Sequence, residues 1–393
     1  MSDLPRYGVP DGDAEKRAYA AIVAEAFAGE FETFNAWVHD FGADVRVLRD
    51  AGVLGGLVIY RMGQFFGGVS VPAWGIAGVG VRPELRAKGF AHELMLANLR
   101  ECHDHGPPIS TLYPAAPKLY RNLGWEFSGS RTAIGANLHE LALRDHGLTL
   151  RPGTPKDDDI LGALYSRSHQ YENGCLDRSD RIWGRVRRVP VDTPLFCYIA
   201  ERDGVPEGYT LYTQKRATPN SFRYDMLVRD FVATTPAAAG ALIAHFARNR
   251  SVANRVQLYV APDAPVLIEL LRTQEVAVEQ RMHWMLRIVR VKDALEGRGY
   301  NRHVRADAAI SVIDEALPDN SGAWTLSLSD GHMTVRRGGQ GPGLDIRGLA
   351  AMYSGSMGPP QLRAAGLLAG DDAHDSALAA MFAGTTPWMP DYF

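Results

Sequence analysis

The stretch "GVGVRPELRAKGFAHELML", residues 78–96, changes character twice within nineteen residues. Val79 and Val81 alternate with glycine, as in a strand with one apolar face. A turn containing Pro83, Arg86, Lys88 and Gly89 follows at once, and a helical pattern starts at Phe90. The first N–H groups of a helix have no partner inside it, and the helix dipole makes that end positive. Gly89 lets the backbone approach a ligand closely, and Arg86 and Lys88 add charge at the rim. A diphosphate suits such a place. The competing reading is an ordinary strand–turn–helix with two solvated cations.

Outward from that joint, the first part of the chain alternates strand-like and helix-like patterns. "KRAYAAIVAEAFAG" (16–29) has the spacing of an amphipathic helix ending at Gly29. Residues 44–68 read as a hairpin turning at Asp50-Ala51-Gly52, and 74–81 as a further strand. A helix over 90–106 is closed by Gly106, a strand follows over 109–115, and a short helix over 117–124 opens at Pro117 and ends at Gly124. "LRPGTPKDDDI" (150–160) has the composition of a boundary, its three aspartates reading as a capped helix start.

A second series then repeats the order of the first. A hairpin over 195–214 turns at Asp203-Gly204, followed by a strand (223–233), a helix (236–250), a strand (256–262) and a short helix (264–276). The repeat reads as an internal duplication. Its second copy has only "TTPA" (234–237) before the helix, so the means of holding an anion there is lost. A third series starts near residue 297, with a hairpin over 322–338 turning at Ser329-Asp330-Gly331 and a helix over 371–384, and closes on "TTPWMPDYF". The expected fold class is α/β (α+β), with domains over 1–149, 150–292 and 293–393.

The chain has 393 residues and a formal net charge of -3, which argues against a dedicated nucleic-acid binder. Cys102, Cys175 and Cys197 are odd in number and lack Cys-x-x-Cys spacing. Neither a disulfide scaffold nor a metal site is expected, and a reducing cytoplasm fits. His103 and His105, two apart at a helix end, point different ways. The N-terminal residues lack the order of a signal peptide, and no window is apolar for long enough to span a membrane. Ser166, His169 and Asp177 have no Gly-x-Ser-x-Gly elbow that would make them hydrolytic.

Arg86-x-x-Gly89-x-Ala91 after Val79-Gly80-Val81 resembles the coenzyme A pyrophosphate loop of the GNAT acetyltransferases, whose motif is Arg/Gln-x-x-Gly-x-Gly/Ala. "LYPAAPKLYRNLGWEFSG" (112–129) is similar to that family's later strand, short helix and final strand. Two such units followed by a sterol-carrier-protein-like module resemble the Eis (enhanced intracellular survival) N-acetyltransferases. The resemblance implies tandem GNAT folds with mixed central sheets, acetyl-CoA as co-substrate, a small-molecule amine acceptor and a homohexamer. It places Val79, Gly80 and Val81 on the pantetheine arm, and Arg86, Ala87, Lys88, Gly89, Phe90, Ala91 and His92 around the pyrophosphate. Ala115 and Ala116 fall beside the thioester. Ala87 stands where the family often has arginine.

Tyr120 matches the family's general acid, since a phenol can protonate a departing thiolate. The base it implies is the main-chain carboxylate of the last residue, here Phe393. "PWMPDYF" suits burial: Pro387 and Pro390 stiffen it, and Trp388, Tyr392 and Phe393 can anchor it in an apolar groove. Asp391 is expected as a wall for a cation, and Glu25, Glu30, Phe34 and Trp37 as candidates for the amine pocket, an ordinary amphipathic helix and loop being the competing reading. Aminoglycoside-like polycations and lysine-type amines are the implied acceptors. The non-enzyme alternative is an acyl-CoA or lipid-binding protein on the same scaffold.

Overall fold

The computed structural model describes residues 5–190, 192–216, 218, 220–264, 266, 267, 270 and 276–393. Turn chemistry sets the first unit. After β1 (Arg6–Gly8), α1 (Gly12–Ala26) and α2 (Phe31–Phe41), the chain enters β2 (Val45–Arg49), turns at Asp50–Gly52 and returns as β3 (Val53–Phe66). Gly67 and Gly68, both at positive φ, turn β3 into β4 (Val69–Val81), which starts five residues before the expected strand. Then come α3 (Phe90–His105), β5 (Ile109–Leu112), α4 (Pro117–Arg121) and β6 (Glu126–Asn137). The separate aromatic helix α2 was expected only as part of a helix and loop.

The boundary aspartates behave as capping chemistry predicts. Asp157 accepts from the Thr154 N–H and hydroxyl and pairs with Arg151, while Asp158 opens the next helix. The second unit runs β7 (Thr149–Pro152), α5 (Asp158–His169), β8 (Leu176–Asp177), α6 (Asp180–Arg187), β9 (Phe196–Arg202), β10 (Val205–Arg216), β11 (Tyr224–Ala233), α7 (Pro236–Ala247), β12 (Ala253–Val260) and β13 (Ala277–Ile288). The short helix expected over 264–276 lies largely outside the described residues.

The two units do not keep separate sheets. One thirteen-stranded sheet runs β1-β2-β3-β4-β5-β13-β6-β12-β11-β10-β9-β7, with β8 on β3. β13 leaves its own unit and fills the gap between β5 and β6, pairing Met285 with Leu112 and with Phe127. β6 in turn pairs with β12 of the second unit. Strands that would otherwise be open edges thus become interior ones.

On α7, His245 packs 4.1 Å from the Tyr198 ring and lies 3.2 Å from the Tyr212 hydroxyl. Burial pushes its imidazole down to about 4, whereas an unfolded histidine titrates near 6.5. The unfolded chain therefore binds more protons between those values, and stability falls as pH falls through that window. The expected loss from this one residue is about 3 kcal/mol. Urea unfolding above pH 6.5 and near pH 4 should show a drop that His245→Leu reduces by that amount.

The third unit comprises α8 (Val291–Gly297), β14 (Ala306–Ile313), β15 (Gly322–Ser329), β16 (His332–Arg337), β17 (Gly343–Asp345), α9 (Ile346–Ser354), α10 (Pro359–Ala364), β18 (Leu368–Ala369) and α11 (Asp375–Met381). Its five-stranded sheet orders β16-β15-β14-β17-β18. The module is not a bead on a string, because its apolar core is continuous with one face of the first unit's sheet. A buried ion pair fastens it: Arg287 of β13 grips Asp314 at 2.7 and 2.8 Å. Among the described residues no helix is long and apolar enough to cross a membrane.

Candidate active site

The sheet opens beside β4. β4 and β5 run parallel from Ala73/Ile109 to Ile76/Leu112, where the ladder stops and β5 ends. β4 continues for five more residues, and among the described residues no strand pairs with it on that edge. On its other edge a bulge sets Gly78 and Val79 against Leu57 alone. Gly78 takes φ +61°, and a Cβ there would stand 2.6 Å from Trp37, so the bulge and its packing both require glycine. The Tyr19 hydroxyl donates to the Gly78 carbonyl at 2.7 Å, leaving the Val79–Val81 backbone toward the parting with polar groups to offer.

Past β4, Arg82 turns the chain, Ala87 adopts φ +61°, and Gly89, at φ +93°, precedes α3. α3 has no side-chain cap. Among the described residues no partner is found for the N–H groups of Ala87, Gly89, Phe90, Ala91 or His92. Arg82, Arg86 and Lys88 stand exposed around them, and nothing lies within 4 Å of where a Gly89 Cβ would be. This is an open cradle of N–H donors at a sixteen-residue helix end, and a diphosphate fits its chemistry. The second unit has filled the matching place. Thr235 caps α7 by accepting from the Ala238 N–H at 3.1 Å, Pro236 supplies no N–H, and the Glu207 carboxylate accepts from the Thr235 hydroxyl. An anion arriving there would meet a carboxylate.

The tail reaches the same parting from the other face of the sheet. Phe393 is 6% exposed and lies on β4 at Gly75, where a Cβ would come within 2.8 Å of its ring. Tyr60 and Tyr113 flank it, with ring centres at 5.5 and 5.7 Å. Ala73, Gly75 and Ala77 share one face of β4 while Trp74 and Ile76 fill the other; that small-against-large alternation marked the groove in the sequence and was not read.

Every residue from Trp388 to Tyr392 is tied down. Trp388 N–H donates to Asn173 O and Met389 N–H to Ser130 O. Arg131 donates to Pro390 O at 2.7 Å, Tyr113 to Asp391 O at 2.6 Å, and Arg185 to Tyr392 O at 3.0 Å. Asp391 is not a wall for a cationic ligand as expected: it is 4% exposed and its carboxylate is engaged by Arg178, which also grips Asp230 at 2.6 and 3.0 Å. Burial pushes the Asp391 carboxyl up, while Arg178 and the Tyr209 hydroxyl hold Asp230 below the usual carboxylate range despite its burial. No local pattern announced Arg178, Arg131 or Arg185, whose partners lie far away in the chain.

Tyr120 belongs to the opposite apolar layer, with Leu57, Ile59, Trp74, Ile76 and Trp125, whereas Phe393 sits in the layer of Val58 and Tyr60. The sheet therefore separates the two residues except where β4 and β5 part. Burial pushes the Tyr120 phenol up to about 12. Ala115 and Ala116 form the exposed turn between β5 and α4. A chain of ring contacts leads from α2 to the tail: Phe34 to Trp37 at 5.8 Å, Trp37 to Phe41 at 5.3 Å, Phe41 to Tyr60 at 4.7 Å. Glu25 and Glu30 are exposed, the latter at the start of α2. Ser166, His169 and Asp177 do not assemble: His169 faces the Tyr165 carbonyl and Asp177 accepts from Ser70.

Comparison with known proteins agrees with this layout. Acetyltransferase (GNAT) domain models match residues 12–128 and 174–290, and a sterol carrier protein domain model matches 291–390. An uncharacterized N-acetyltransferase of Streptomyces avermitilis is 28% identical over 353 residues, 83% of each chain. The N-acetyltransferase Eis of Mycobacterium tuberculosis is 26% identical over 287 residues, 67% of this chain and 66% of its own. The crystal structure of a GCN5-related N-acetyltransferase from Anabaena variabilis superposes with a TM-score of 0.94 at 33% identity, over 99% of this chain and 100% of that one. GNAT domains use an acyl-CoA co-substrate, which the open N–H cradle suits. The chain belongs to the GCN5-related N-acetyltransferases, as an Eis-like acyltransferase with two GNAT domains and a C-terminal sterol carrier protein domain.

Proposed function

We propose that the first unit transfers acetyl from acetyl-CoA directly to a primary amine, at the parting of β4 and β5. The observation that carries this reading is the unpaired N–H cradle around Gly89, present in the first unit and plugged by Thr235 and Glu207 in the second. Val79, Gly80 and Val81 would hold the pantetheine arm, the turn from Arg86 to His92 the pyrophosphate, and Ala115 and Ala116 the neighbourhood of the thioester. The amine lone pair attacks the carbonyl, the carbon–sulfur bond breaks, and the amine gives up its proton to the main-chain carboxylate of Phe393, directly or through water. Tyr120 stabilises the departing sulfur. With its phenol near 12, full proton transfer to a thiolate of reference pKa about 8.5 runs uphill by about 5 kcal/mol. Hydrogen bonding to the developing thiolate therefore fits Tyr120 better than early surrender of its proton.

The acceptor would lie along the aromatic wall of Phe34, Trp37 and Tyr60, with Glu30 at the start of the helix that carries it. Trp37 and Phe34 suit a cationic amine. Arg185 also faces this wall, donating to Tyr60 and Tyr392, and among the described residues it has no carboxylate partner. That positive charge favours a lysine-type acceptor over a densely cationic aminoglycoside. The test is thiol release from acetyl-CoA against a panel of aminoglycosides, polyamines and lysine peptides. Turnover with lysine-type amines is expected; acetyl-CoA binding with no turnover on any amine would replace this reading with a non-catalytic acyl-CoA-binding protein.

Two further outcomes belong to the same proposal. Gly89→Val puts a branched side chain at φ +93° in the cradle and is expected to raise the acyl-CoA KM about 10–100-fold with little change in kcat, as lost charge-assisted hydrogen bonds would. We also assign domain limits of 1–149, 150–292 and 293–393, which β7 and α8 overrun by one and two residues, a cytoplasmic location and a homohexamer. Light scattering should then return six times the 43.0 kDa subunit mass.

A further inference from the structure

Beneath the tail, away from the first unit's cradle, three side chains of different ligand chemistry converge. His169, Glu172 and Cys175 each place a donor atom within 4.8 Å of the other two. All three come from seven residues at the end of α5 and the turn after it. Cys175 Sγ is 3.8 Å from Glu172 Oε2. Ligand atoms around a tetrahedral zinc ion, with bonds of about 2.0–2.3 Å, stand about 3.3–3.8 Å apart.

The surroundings orient these groups as ligands. His169 Nδ1 lies 3.2 Å from the Tyr165 carbonyl, which can only accept; the proton is therefore on Nδ1 and the Nε2 lone pair is left free. The ring is held flat on Tyr165, with centres 4.4 Å apart and planes 13° from parallel. The Trp388 indole N–H donates to the Glu172 carboxylate, fixing its direction. His169, Glu172 and Trp388 line a cavity of about 520 Å³ that runs between β11 and β12 to Thr235. The cavity gives an ion a way in and leaves room for a fourth ligand.

We propose that His169, Glu172 and Cys175 form a binding site for a divalent cation of borderline softness, foremost Zn²⁺, held by Nε2, a carboxylate oxygen and Sγ with its fourth position open to the cavity. One N, one O and one S donor select such an ion over Mg²⁺ or Ca²⁺. On binding, the Cys175 S–H bond breaks, its proton leaves to solvent, and the sulfur pair forms the bond to the metal. The carboxylate and thiolate together cancel the ion's charge, which a buried site needs. The site departs from the expectation of no metal because its three ligands follow no Cys-x-x-Cys spacing. It is also coupled to the tail: Cys175 Sγ lies 3.7 Å from the Trp388 carbonyl, a contact that deprotonation of the thiol removes.

The experiment uses untagged full-length protein, titrated with Zn²⁺ in equilibrium dialysis and with Co²⁺ followed by absorption. The proposal expects one Zn²⁺ per chain and a Co²⁺ complex with a thiolate charge-transfer band. Glu172→Gln keeps an acceptor for the Trp388 N–H and so keeps the fold. Both it and Cys175→Ala should weaken Zn²⁺ by more than the ~10–100-fold typical of losing an orienting partner. Cys197→Ser should keep the band. No thiolate band in the native protein, no bound Zn²⁺, or an unchanged band and affinity in folded Cys175→Ala would overturn it.

Discussion

A chain ending at Tyr392 is expected to retain acetyl-CoA binding and lose kcat by ~10²–10⁴-fold, the range that positioned proton transfer contributes. Two effects combine. The deletion removes the ring that fills the groove over Gly75, between Tyr60 and Tyr113, and it moves the carboxylate one residue back. Extending the chain by two glycines separates them, because the ring is kept while the carboxylate becomes an amide. The extended protein should lose as much rate as the truncated one. Phe393→Leu, which keeps the carboxylate, should lose less than either. A free α-carboxyl is a weak base, of reference pKa about 3.5, so a relay through water suits this role better than direct and complete proton transfer. Native rates in the extended variant would put the base elsewhere.

The second large effect is expected at Arg178. Its guanidinium bridges two buried carboxylates, Asp230 and Asp391, and packs 3.7 Å from the Tyr165 ring centre and 4.6 Å from that of Trp183. Arg178→Met removes the shared cation and leaves both buried carboxylates with hydroxyl partners, Tyr209 and Tyr165, in place of a cation. Breaking a buried pair from one side costs about 3–5 kcal/mol, because the abandoned charge cannot regain water. Here the loss also releases the tail two residues before Phe393, so kcat should fall along with stability. Adding Asp230→Asn and Asp391→Asn should recover much of the stability, since nothing charged is then stranded. Chemical unfolding of the single and triple variants checks this. A single variant within about 1 kcal/mol of the native protein would mean that the network does not hold the tail.

What the sequence disclosed follows from the range of the forces involved. Hairpins at Asp50–Gly52, Asp203–Gly204 and Asp330–Gly331 are written in turn residues, and they formed where expected because that chemistry is local. The turn at Gly89 was legible for the same reason. β13 was not read as a strand: its first half, "AVEQRMH", is largely polar, and its partners Leu112 and Phe127 lie far back in the chain. Only the completed edge of another unit makes that segment a central strand. Asp391 was misjudged similarly. A carboxylate beside aromatic residues near a chain end reads as a wall for a cationic ligand until Arg178 arrives from the second unit. The groove for Phe393 was readable in Ala73-Trp74-Gly75-Ile76-Ala77, where small residues on one face of a strand signal that something else must fill the space.

Acetyl transfer is proposed at the parting of β4 and β5, with Tyr120 in the apolar layer on one face of the sheet and the tail on the other. The most direct test is the steady-state rate of thiol release by Tyr120→Phe, with its acetyl-CoA Kd measured in parallel. Loss of one hydroxyl leaves the packing against Trp125 intact. The predicted result is a fall in kcat of at least ~100-fold, as for loss of one hydrogen-bond donor to a developing anion, with the Kd unchanged. A kcat within twofold of the native enzyme, or a fall explained entirely by lost acetyl-CoA binding, would contradict it.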